Sequence, residues 1–430
     1  MKYHPINNQL FIKNRAKFSA QMKSKSIAVF NSNDLFTTGA DSTIPFEQSS
    51  DLLYLSGADQ EESILLLFPD AIDPNNREIL FLTETSKLIE IWYGAKYSKE
   101  EATQVSGIKT IYWLSEFDKV FYDLMTEAET VYFNTNEHYR QAVVIETRED
   151  RFIKKCKADF PAHKWEKSNQ ILQHIRGVKE PEEIEIIQTA CDITNKGFRR
   201  ILPFVKPGIM EYEIEAEFMH EFLRNRSDGF AYTPIIASGY SACVLHYIEN
   251  NKECKDGDML LLDVGADYAN YSSDMTRTIP VNGRFSERQK TVYNAVLRVK
   301  NEATKMLTPG VLWAEYQKEV GKIMSSELLG LGLIDKAAIQ NEDPNWPAYK
   351  KYFMHGTSHH MGLDTHDYGA LKAPMQAGMV FTVEPGIYIP EENMGIRIED
   401  DVVVQKTGEP INLMKNIPIE VEEIEDLMNS

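Results

Sequence analysis

Two stretches of the 430-residue sequence place acidic residues beside strongly apolar ones. The first covers residues 259–280; it begins as a buried strand, carries Asp263 near the end of that strand, and reaches Asp274 in a second extended stretch. The turn-forming residues between them predict a hairpin centred between Tyr268 and Ala269. Such a hairpin would place the two carboxylates directly opposite each other, with their Cβ atoms about 5 Å apart.

The second stretch, VFTVEPGIYIPEENMGIRIEDDVVV, repeats this arrangement. Glu384 and Glu399 are equidistant from the point between Glu391 and Glu392, and the residues around that point can form a loop. A hairpin centred there would oppose two more acids. Because side chains alternate between the faces of a strand, Arg397 would lie on the same face as Glu399.

The four acids would bring a charge of −4 together next to the protein interior. Like charges at such distances repel, so either some of the acids are protonated or cations lie between them. Two divalent cations would neutralise the cluster, and a dinuclear metal centre is therefore the economical explanation. For any single acid of the four, the alternative is a solvated position on the surface.

The histidines are concentrated in one segment, because four of the ten lie in MHGTSHHMGLDTHDYG. His355 and His359 have the spacing of a zinc-protease helix, but Gly356 stands where that motif requires glutamate. One histidine of the segment could supply a nitrogen ligand, and the others could orient it or handle protons. Carboxylates with one imidazole favour Mn²⁺, with Zn²⁺ or Co²⁺ as alternatives. Two such ions could share a hydroxide and polarise a carbonyl, which is hydrolysis without a covalent intermediate.

The elements that must position these residues differ between the two halves of the chain. In the N-terminal half, short apolar runs alternate with polar, helix-like stretches, which is typical of an α/β domain. Its predicted strands cover residues 26–30, 63–68, 78–83 and 130–135, and its predicted helices cover residues 98–105 and 115–128.

The C-terminal half has an α+β pattern in which one unit occurs twice. Pro181 suits the first turn of a helix, and a second helix is predicted from Glu211 to about Arg226. A capping box that begins at Ser286 opens a third helix, and a fourth begins near Glu315. Strands follow each helix pair, which indicates an internal duplication. The alternative is two unrelated helix pairs, since Pro-Gly commonly ends a helix.

Composition limits the function and the location that we expect. A net charge of −19 argues against non-specific binding to nucleic acid. The four cysteines lack the spacing of metal or redox motifs, which favours a reducing compartment. We find neither a signal peptide nor an apolar run long enough for a membrane span. We therefore expect a cytoplasmic protein without nucleic-acid or membrane partners.

Around the acidic residues the sequence resembles the pita-bread metallopeptidases, which include methionine aminopeptidase, prolidase and aminopeptidase P. The motifs that carry the resemblance are LLDVGADY, SSDMTRTIPVNG, FMHGTSHHMGLDTHD, VFTVEPGIYI and GIRIEDDVVV. The N-terminal half is similar to the aminopeptidase P group at ADSTIPFEQSSDLLYLSG and IEIWYGAKYS. The resemblance implies an α/β domain over residues 1–172 and a catalytic pita-bread domain with an internal pseudo-twofold duplication over residues 173–430.

The resemblance also implies a set of ligands for two divalent metal ions. The family order of Asp, Asp, His, Glu and Glu is matched by Asp263, Asp274, His359, Glu384 and Glu399. Asp263 would chelate one metal, Asp274 and Glu399 would bridge both, and His359 and Glu384 would complete the second. A hydroxide between the metals would be the nucleophile, with Glu384 as its general base.

Three further histidines are implied to act on the substrate. His246 would lie near the scissile bond and stabilise the tetrahedral intermediate. His355 and His366 would line the substrate pocket, and His366 would pass protons. The fourth histidine of the rich segment, His360, stands where relatives often have an aromatic residue and is not expected to bind metal.

The remaining implied residues support the site or belong to an assembly. Tyr232, Arg397 and Tyr388 match positions in the pocket or behind the ligands. Asp41 and Trp92 match residues that in some relatives reach the site of a neighbouring subunit. The resemblance therefore implies a homodimer or a homotetramer.

As a whole, the chain resembles enzymes that remove an N-terminal residue when proline is second, so peptides with proline at that position are the implied substrates. Prolidase, which cleaves Xaa-Pro dipeptides with the same ligands, is the first alternative. A non-catalytic binding protein on the same fold is the second. A protein of that kind would lack a ligand, whereas all five are present here.

Overall fold

The structure, a computed structural model, describes residues 2–135, 137 and 143–430. It divides the chain into two compact units. One unit contains residues 5–176, and the other contains residues 177–430 together with the first residues of the chain, up to His4.

The first unit is built around a six-stranded mixed sheet. Its helices are α1 (Gln9–Ser19), α2 (Ser50–Ser56), α3 (Lys87–Tyr93), α4 (Lys99–Ser106), α5 (Phe117–Met125), α6 (Arg148–Asp159) and α7 (Asn169–Gly177). Its strands are β1 (Ser26–Asn31), β2 (Ile64–Leu67), β3 (Glu78–Leu82), β4 (Thr110–Trp113), β5 (Thr130–Phe133) and β6 (Lys164–Lys167). The strand order is β4-β3-β2-β1-β5-β6.

The predicted α/β class of this unit is confirmed, and each predicted strand and helix has a counterpart in the structure. Strand β1 is buried along its whole length, which explains its continuous apolar run. The predicted domain boundary, between residues 172 and 173, falls within α7. Among the described residues, no helix combines the length and the apolar character needed to span a membrane.

The second unit contains helix pairs followed by antiparallel strands. Its helices are α8 (Pro181–Ile201), α9 (Glu211–Arg224), α10 (Glu287–Lys305), α11 (Trp313–Gly330), α12 (Lys336–Gln340) and α13 (Val421–Met428). Its first strands are β7 (Gly229–Phe230), β8 (Ile235–Ser238), β9 (Met259–Val264), β10 (Ala266–Tyr268), β11 (Tyr271–Ser272) and β12 (Met275–Pro280). Its later strands are β13 (Val380–Val383), β14 (Gly386–Ile389), β15 (Met394–Arg397), β16 (Asp400–Val403) and β17 (Ile411–Asn412).

This element order confirms the predicted succession of two helices and then strands in each half. Pro181 occupies the first turn of α8, as predicted. Ser286 caps α10: its hydroxyl accepts a hydrogen bond from the backbone N–H of Gln289, and its own backbone N–H donates to the Gln289 side chain. The predicted capping box is therefore present.

The register predicted for the first hairpin is wrong. Strands β9 and β12 pair Asp263 with Thr276, not with Asp274. The turn is centred one residue later than predicted, because Ala269 and Asn270 both have positive φ values, 57° and 64°, and form a two-residue loop. A shift of the centre by one residue moves each cross-strand partner by two positions. Asp274 and Thr276 therefore still lie on the same face.

The register predicted for the second hairpin is confirmed. Strands β14 and β15 pair Gly386 with Arg397, and strands β13 and β16 pair Val383 with Asp400. Glu384 and Glu399 therefore lie at matching positions, between the two paired segments. An isolated bridge between Thr276 and Glu399 joins this hairpin to the first one.

Candidate metal centre

Three of the predicted ligands form a compact, buried group. Asp274, His359 and Glu399 each offer one ligand atom, and these atoms all lie within 4.8 Å of one another. Nε2 of His359 is 3.4 Å from a carboxylate oxygen of Asp274. The group lies where the two hairpins meet, since Asp274 directly precedes β12 and Glu399 directly precedes β16.

The other two predicted ligands adjoin this group and keep some exposure to solvent. Oε1 of Glu384 is 3.8 Å from Nε2 of His359. The hydroxyl of Tyr232 is 2.7 Å from an oxygen of Asp263 and 2.6 Å from an oxygen of Asp274, so it links these two acids. The structure thus brings all five predicted ligands together.

Backbone hydrogen bonds fix the segments that carry the ligands. The backbone N–H of Thr382 donates to the carbonyl of His359 at 3.0 Å, and the Thr382 hydroxyl accepts from the N–H of His359 at 3.1 Å. The N–H of Glu384 donates to the carbonyl of Thr357 at 2.7 Å. The histidine segment therefore lies alongside β13, although it forms no regular strand.

Gly265 allows the two strands of the first hairpin to approach each other closely. A Cβ atom at Gly265 would lie only 1.7 Å from the backbone oxygen of Ser273. Any other residue would push apart the two strands immediately beside Asp263 and Asp274. Gly265 is therefore needed to bring these two carboxylates within reach of one tyrosine.

Arg397 and Tyr388 form a hydrogen-bonded support behind the acids. The Arg397 guanidinium donates to a carboxylate oxygen of Asp263 and, at 2.9 Å, to the hydroxyl of Tyr388. The same hydroxyl is 2.7 Å from Nε2 of His355. Burial raises the pKa of Tyr388 to about 12, so its hydroxyl stays protonated. Both residues therefore lie beside the predicted ligands.

Three acids of the site are harder to ionise than free carboxyl groups. Burial raises the pKa of Asp263, Glu384 and Glu399, and neighbouring carboxylates add to the rise; the pKa of Glu384 reaches about 7. For His359, burial alone would lower the pKa, but Asp274 and Glu384 raise it above its usual range. Divalent cations among these atoms would stabilise the ionised carboxylates, so four carboxylates and one imidazole fit oxygen- and nitrogen-binding metals.

The three predicted substrate histidines lie at the edge of this group. His366 is exposed, and its ring centroid is 4.1 Å from that of His359. Nδ1 of His355 is 3.5 Å from a carboxylate oxygen of Glu384. Burial, with the positive charges of Arg397 and Lys350 nearby, lowers the pKa of His355 to about 3. His246 is exposed and therefore accessible to a substrate.

The ring of His360 packs against two aromatic side chains. Its ring centroid is 4.4 Å from that of Phe381, and it stacks on Trp313. Burial lowers its pKa to about 3. These contacts agree with the expectation that His360 fills an aromatic position.

Asp41 and Trp92 belong to the first unit. Both are exposed, and 74% of the Trp92 surface is accessible. Their predicted contact with a neighbouring subunit involves a second copy of the chain.

Two residues that support the ligands were not predicted. The Thr276 hydroxyl donates to Glu399 at 2.6 Å and accepts from Nε of Arg397 at 3.1 Å. Asp401 accepts a hydrogen bond from the backbone N–H of Asp274 at 3.0 Å. The alternation of β12 places Thr276 on the same face as Asp274 and could have identified it. No sequence signal identifies Asp401.

Comparisons with known proteins agree with this geometry. The sequence model of Metallopeptidase family M24 matches residues 185–406, and that of the aminopeptidase P N-terminal domain matches residues 11–132. Xaa-Pro aminopeptidase of Escherichia coli (strain K12) is 34% identical, with 98% of each chain covered. Human Xaa-Pro aminopeptidase 3 is 31% identical, with 95% of this chain and 82% of the relative covered.

Solved structures give the same result over the whole chain. A putative aminopeptidase P from Bacillus anthracis superposes with a TM-score of 0.90 at 34% identity, and 99% of each chain is covered. Zinc-substituted Escherichia coli aminopeptidase P in complex with product superposes with a TM-score of 0.88 at 32% identity, again over 99% of each chain.

Proposed function

The chain belongs to metallopeptidase family M24, and from this premise we propose that it is a Xaa-Pro aminopeptidase, a hydrolase that removes the N-terminal residue preceding proline. The observation that carries the proposal is the convergence of Asp274, His359 and Glu399, with all three ligand atoms within 4.8 Å of one another. The comparisons do not favour prolidase, because the relatives reported above are aminopeptidases. Residues 173–430 are the proposed catalytic domain, and residues 1–172 are the proposed N-terminal domain.

The proposed ligands would hold two divalent cations, for which we favour Mn²⁺ over Zn²⁺ or Co²⁺. When bound, the cations supply Lewis-acid polarisation of the scissile carbonyl and lower the pKa of water. Asp263 would contribute to one ion, and Asp274 and Glu399 would contribute to both. His359 and Glu384 complete the set.

Four side chains at the site are proposed to move protons, stabilise negative charge or line the pocket. Glu384, whose side chain is 20% exposed, is the proposed general base, since it can take a proton from water that enters the cleft. His246 is exposed and can donate a hydrogen bond to the oxygen that gains negative charge. His366 can pass the proton towards the leaving amine, while His355, held by Tyr388, lines the pocket.

Arg397 and Tyr232 are proposed to hold the ligands rather than to react. The guanidinium of Arg397 donates to Asp263, which favours the ionised, metal-binding form of that acid. Tyr232 links Asp263 to Asp274 through its hydroxyl. Both contacts reduce the freedom of the carboxylates before a cation binds.

We propose that the active form is a homodimer or a homotetramer. Helix α3 supports this, because Leu88, Ile91, Trp92 and Tyr93 are all exposed apolar residues on it, with Ile91 78% accessible. A second copy would cover such a surface. In that assembly, Trp92 and Asp41 would approach the partner's site. We also propose a cytoplasmic location, for which the free thiols of Cys156, Cys191, Cys243 and Cys254 are suited.

A two-substrate assay tests the function. Metal-free protein is reconstituted with Mn²⁺ and offered a tripeptide Xaa-Pro-Yaa and a dipeptide Xaa-Pro, with unreconstituted protein as the control. We expect Xaa to be released faster from the tripeptide than from the dipeptide, and we expect little activity without metal. Faster cleavage of the dipeptide would indicate prolidase, and failure to cleave either peptide with metal bound would favour a binding protein.

A further inference from the structure

Lys350 lies at the edge of the proposed site, next to the histidine segment. It belongs to a short 3-10 helix, Ala348–Lys351, just before the histidine segment. Its ammonium donates to the backbone carbonyls of Met354 and His355, both at 3.3 Å. The positive charge of Lys350 therefore lies beside His355, whose imidazole contacts Tyr388 and Glu384.

Lys350 carries a half-buried charge without a carboxylate partner among the residues that the structure describes. Within the part of the chain that the structure describes, no carboxylate forms an ion pair with its ammonium. Burial lowers its pKa, with no opposing contribution from an acid. The buried lysines elsewhere in this unit differ, because Lys179 pairs with Asp367 at 2.9 Å and Lys300 pairs with Asp400.

The described partners of this ammonium, two backbone carbonyls and the ring of Tyr349, carry no net charge, so the site still favours an anionic ligand. The cost of its partial desolvation is recovered when a carboxylate binds. The chain itself has a net charge of −19 and places four carboxylates in the neighbouring site, so it otherwise repels anions. Every unmodified peptide substrate of an exopeptidase of this kind carries a carboxylate at its C-terminus, and some carry another on a side chain.

We propose that Lys350 binds a carboxylate of the peptide substrate and gives the enzyme a preference for peptides that carry a carboxylate shortly after proline. The carboxylate is either the free C-terminus of a short peptide or the side chain of an acidic residue that follows proline. This inference rests on the proposed function, because it specifies the substrate class of the same site.

Four peptides distinguish the two sources of the carboxylate with the Mn²⁺-loaded enzyme. Ala-Pro-Ala is compared with its C-terminal amide, and Ala-Pro-Glu-amide is compared with Ala-Pro-Gln-amide. We expect kcat/KM to be about tenfold higher for the acidic member of at least one pair, as a charge-assisted hydrogen bond predicts. The first pair reports the terminal carboxylate, and the second reports the side chain.

The Lys350→Met variant should lose this preference, whereas Lys350→Arg should keep most of it. The matched control is Lys351→Met, because Lys351 is exposed and lies over the ring of Tyr352; it should leave the ratio unchanged. Equal rates for both members of each pair in the wild type, or a preference that persists in Lys350→Met, would overturn this inference alone. If none of the four peptides were cleaved, both this inference and the proposed function would be overturned.

Discussion

At the scale of single residues, Tyr232 shows how an uncharged group can organise charged ones. Its hydroxyl is within hydrogen-bonding distance of both Asp263 and Asp274, yet it has one proton and can donate it to one acid at a time. Burial and the adjacent carboxylates raise its pKa well above the usual range, so the proton stays on the tyrosine. Tyr232 therefore contributes a donor without adding to the negative charge.

Replacement of Glu399 and replacement of His246 should separate metal binding from turnover. Glu399→Ala should abolish activity and reduce bound metal, because a proposed bridge to both ions is lost. His246→Ala should keep its metal but lower kcat by about 100-fold or more, the usual cost of removing a donor to a developing oxyanion. Metal content by mass spectrometry and steady-state kinetics on the same preparations provide the comparison.

The comparison of metal content between Glu399→Ala and His246→Ala requires that both variants stay folded. Circular dichroism of both should match the wild type, so that a change in metal content does not reflect unfolding. Loss of metal from His246→Ala would show that this histidine binds or supports the ligands, and its assignment to the oxyanion would be wrong.

At the scale of elements, the two hairpins show what the sequence could and could not reveal. The second was predicted in register because its loop contains Pro390 and Asn393, residue types that suit turns; Asn393 adopts a positive φ of 49°. The first was misplaced because its loop is Ala269-Asn270. Alanine at positive φ carries no turn signal, unlike the Asn-Gly or Asp-Gly pairs that mark such loops.

The ligand faces were nevertheless predicted correctly, for a geometric reason. Side chains alternate along a strand, so moving the turn centre by one residue preserves which side chains share a face. The contacts of Asp401 could not be predicted in this way, because they join strands that are distant in sequence. Such contacts depend on how the hairpins pack.

The N-terminus of α8 provides a pH-dependent prediction. Glu183 is buried there; it accepts hydrogen bonds from the backbone N–H of Glu180 at 2.8 Å and from the hydroxyl of Tyr271 at 3.1 Å. Burial raises its pKa from 4.5 to about 7. Since the pKa is raised by folding, the contribution of Glu183 to stability is fully present below about pH 4.5 and is lost as the pH rises through about 7.

Glu183→Gln should therefore stabilise the protein at high pH and change little at low pH. Glutamine can still accept from the Glu180 N–H, and it never ionises. The gain at pH 8 should approach about 3 kcal/mol, which corresponds to the pKa shift. Thermal unfolding at pH 5 and pH 8 measures it. Glu185→Gln, on the exposed side of the same helix, is the control, and an equal effect of Glu183→Gln at both pH values would contradict the prediction.

At the scale of the whole molecule, the sequence predicted the α/β first unit and the repeated helix-pair pattern of the second. These features depend on local periodicity, which a sequence displays directly. The predicted boundary between residues 172 and 173 falls within α7, which continues through it without a break. The proposed assembly rests on the exposed apolar residues of α3.

The proposed assembly predicts complementation between two impaired variants. Trp92→Ala should keep its metal and lose about tenfold in activity, as expected when an aromatic anchor is removed. If Trp92 serves a partner's site, a His246→Ala subunit can supply the missing tryptophan to a Trp92→Ala subunit. Co-expression of the two should then restore about a quarter of the sites in randomly mixed dimers. Activity no higher than the mean of the separate variants would show that Trp92 does not act on a second copy.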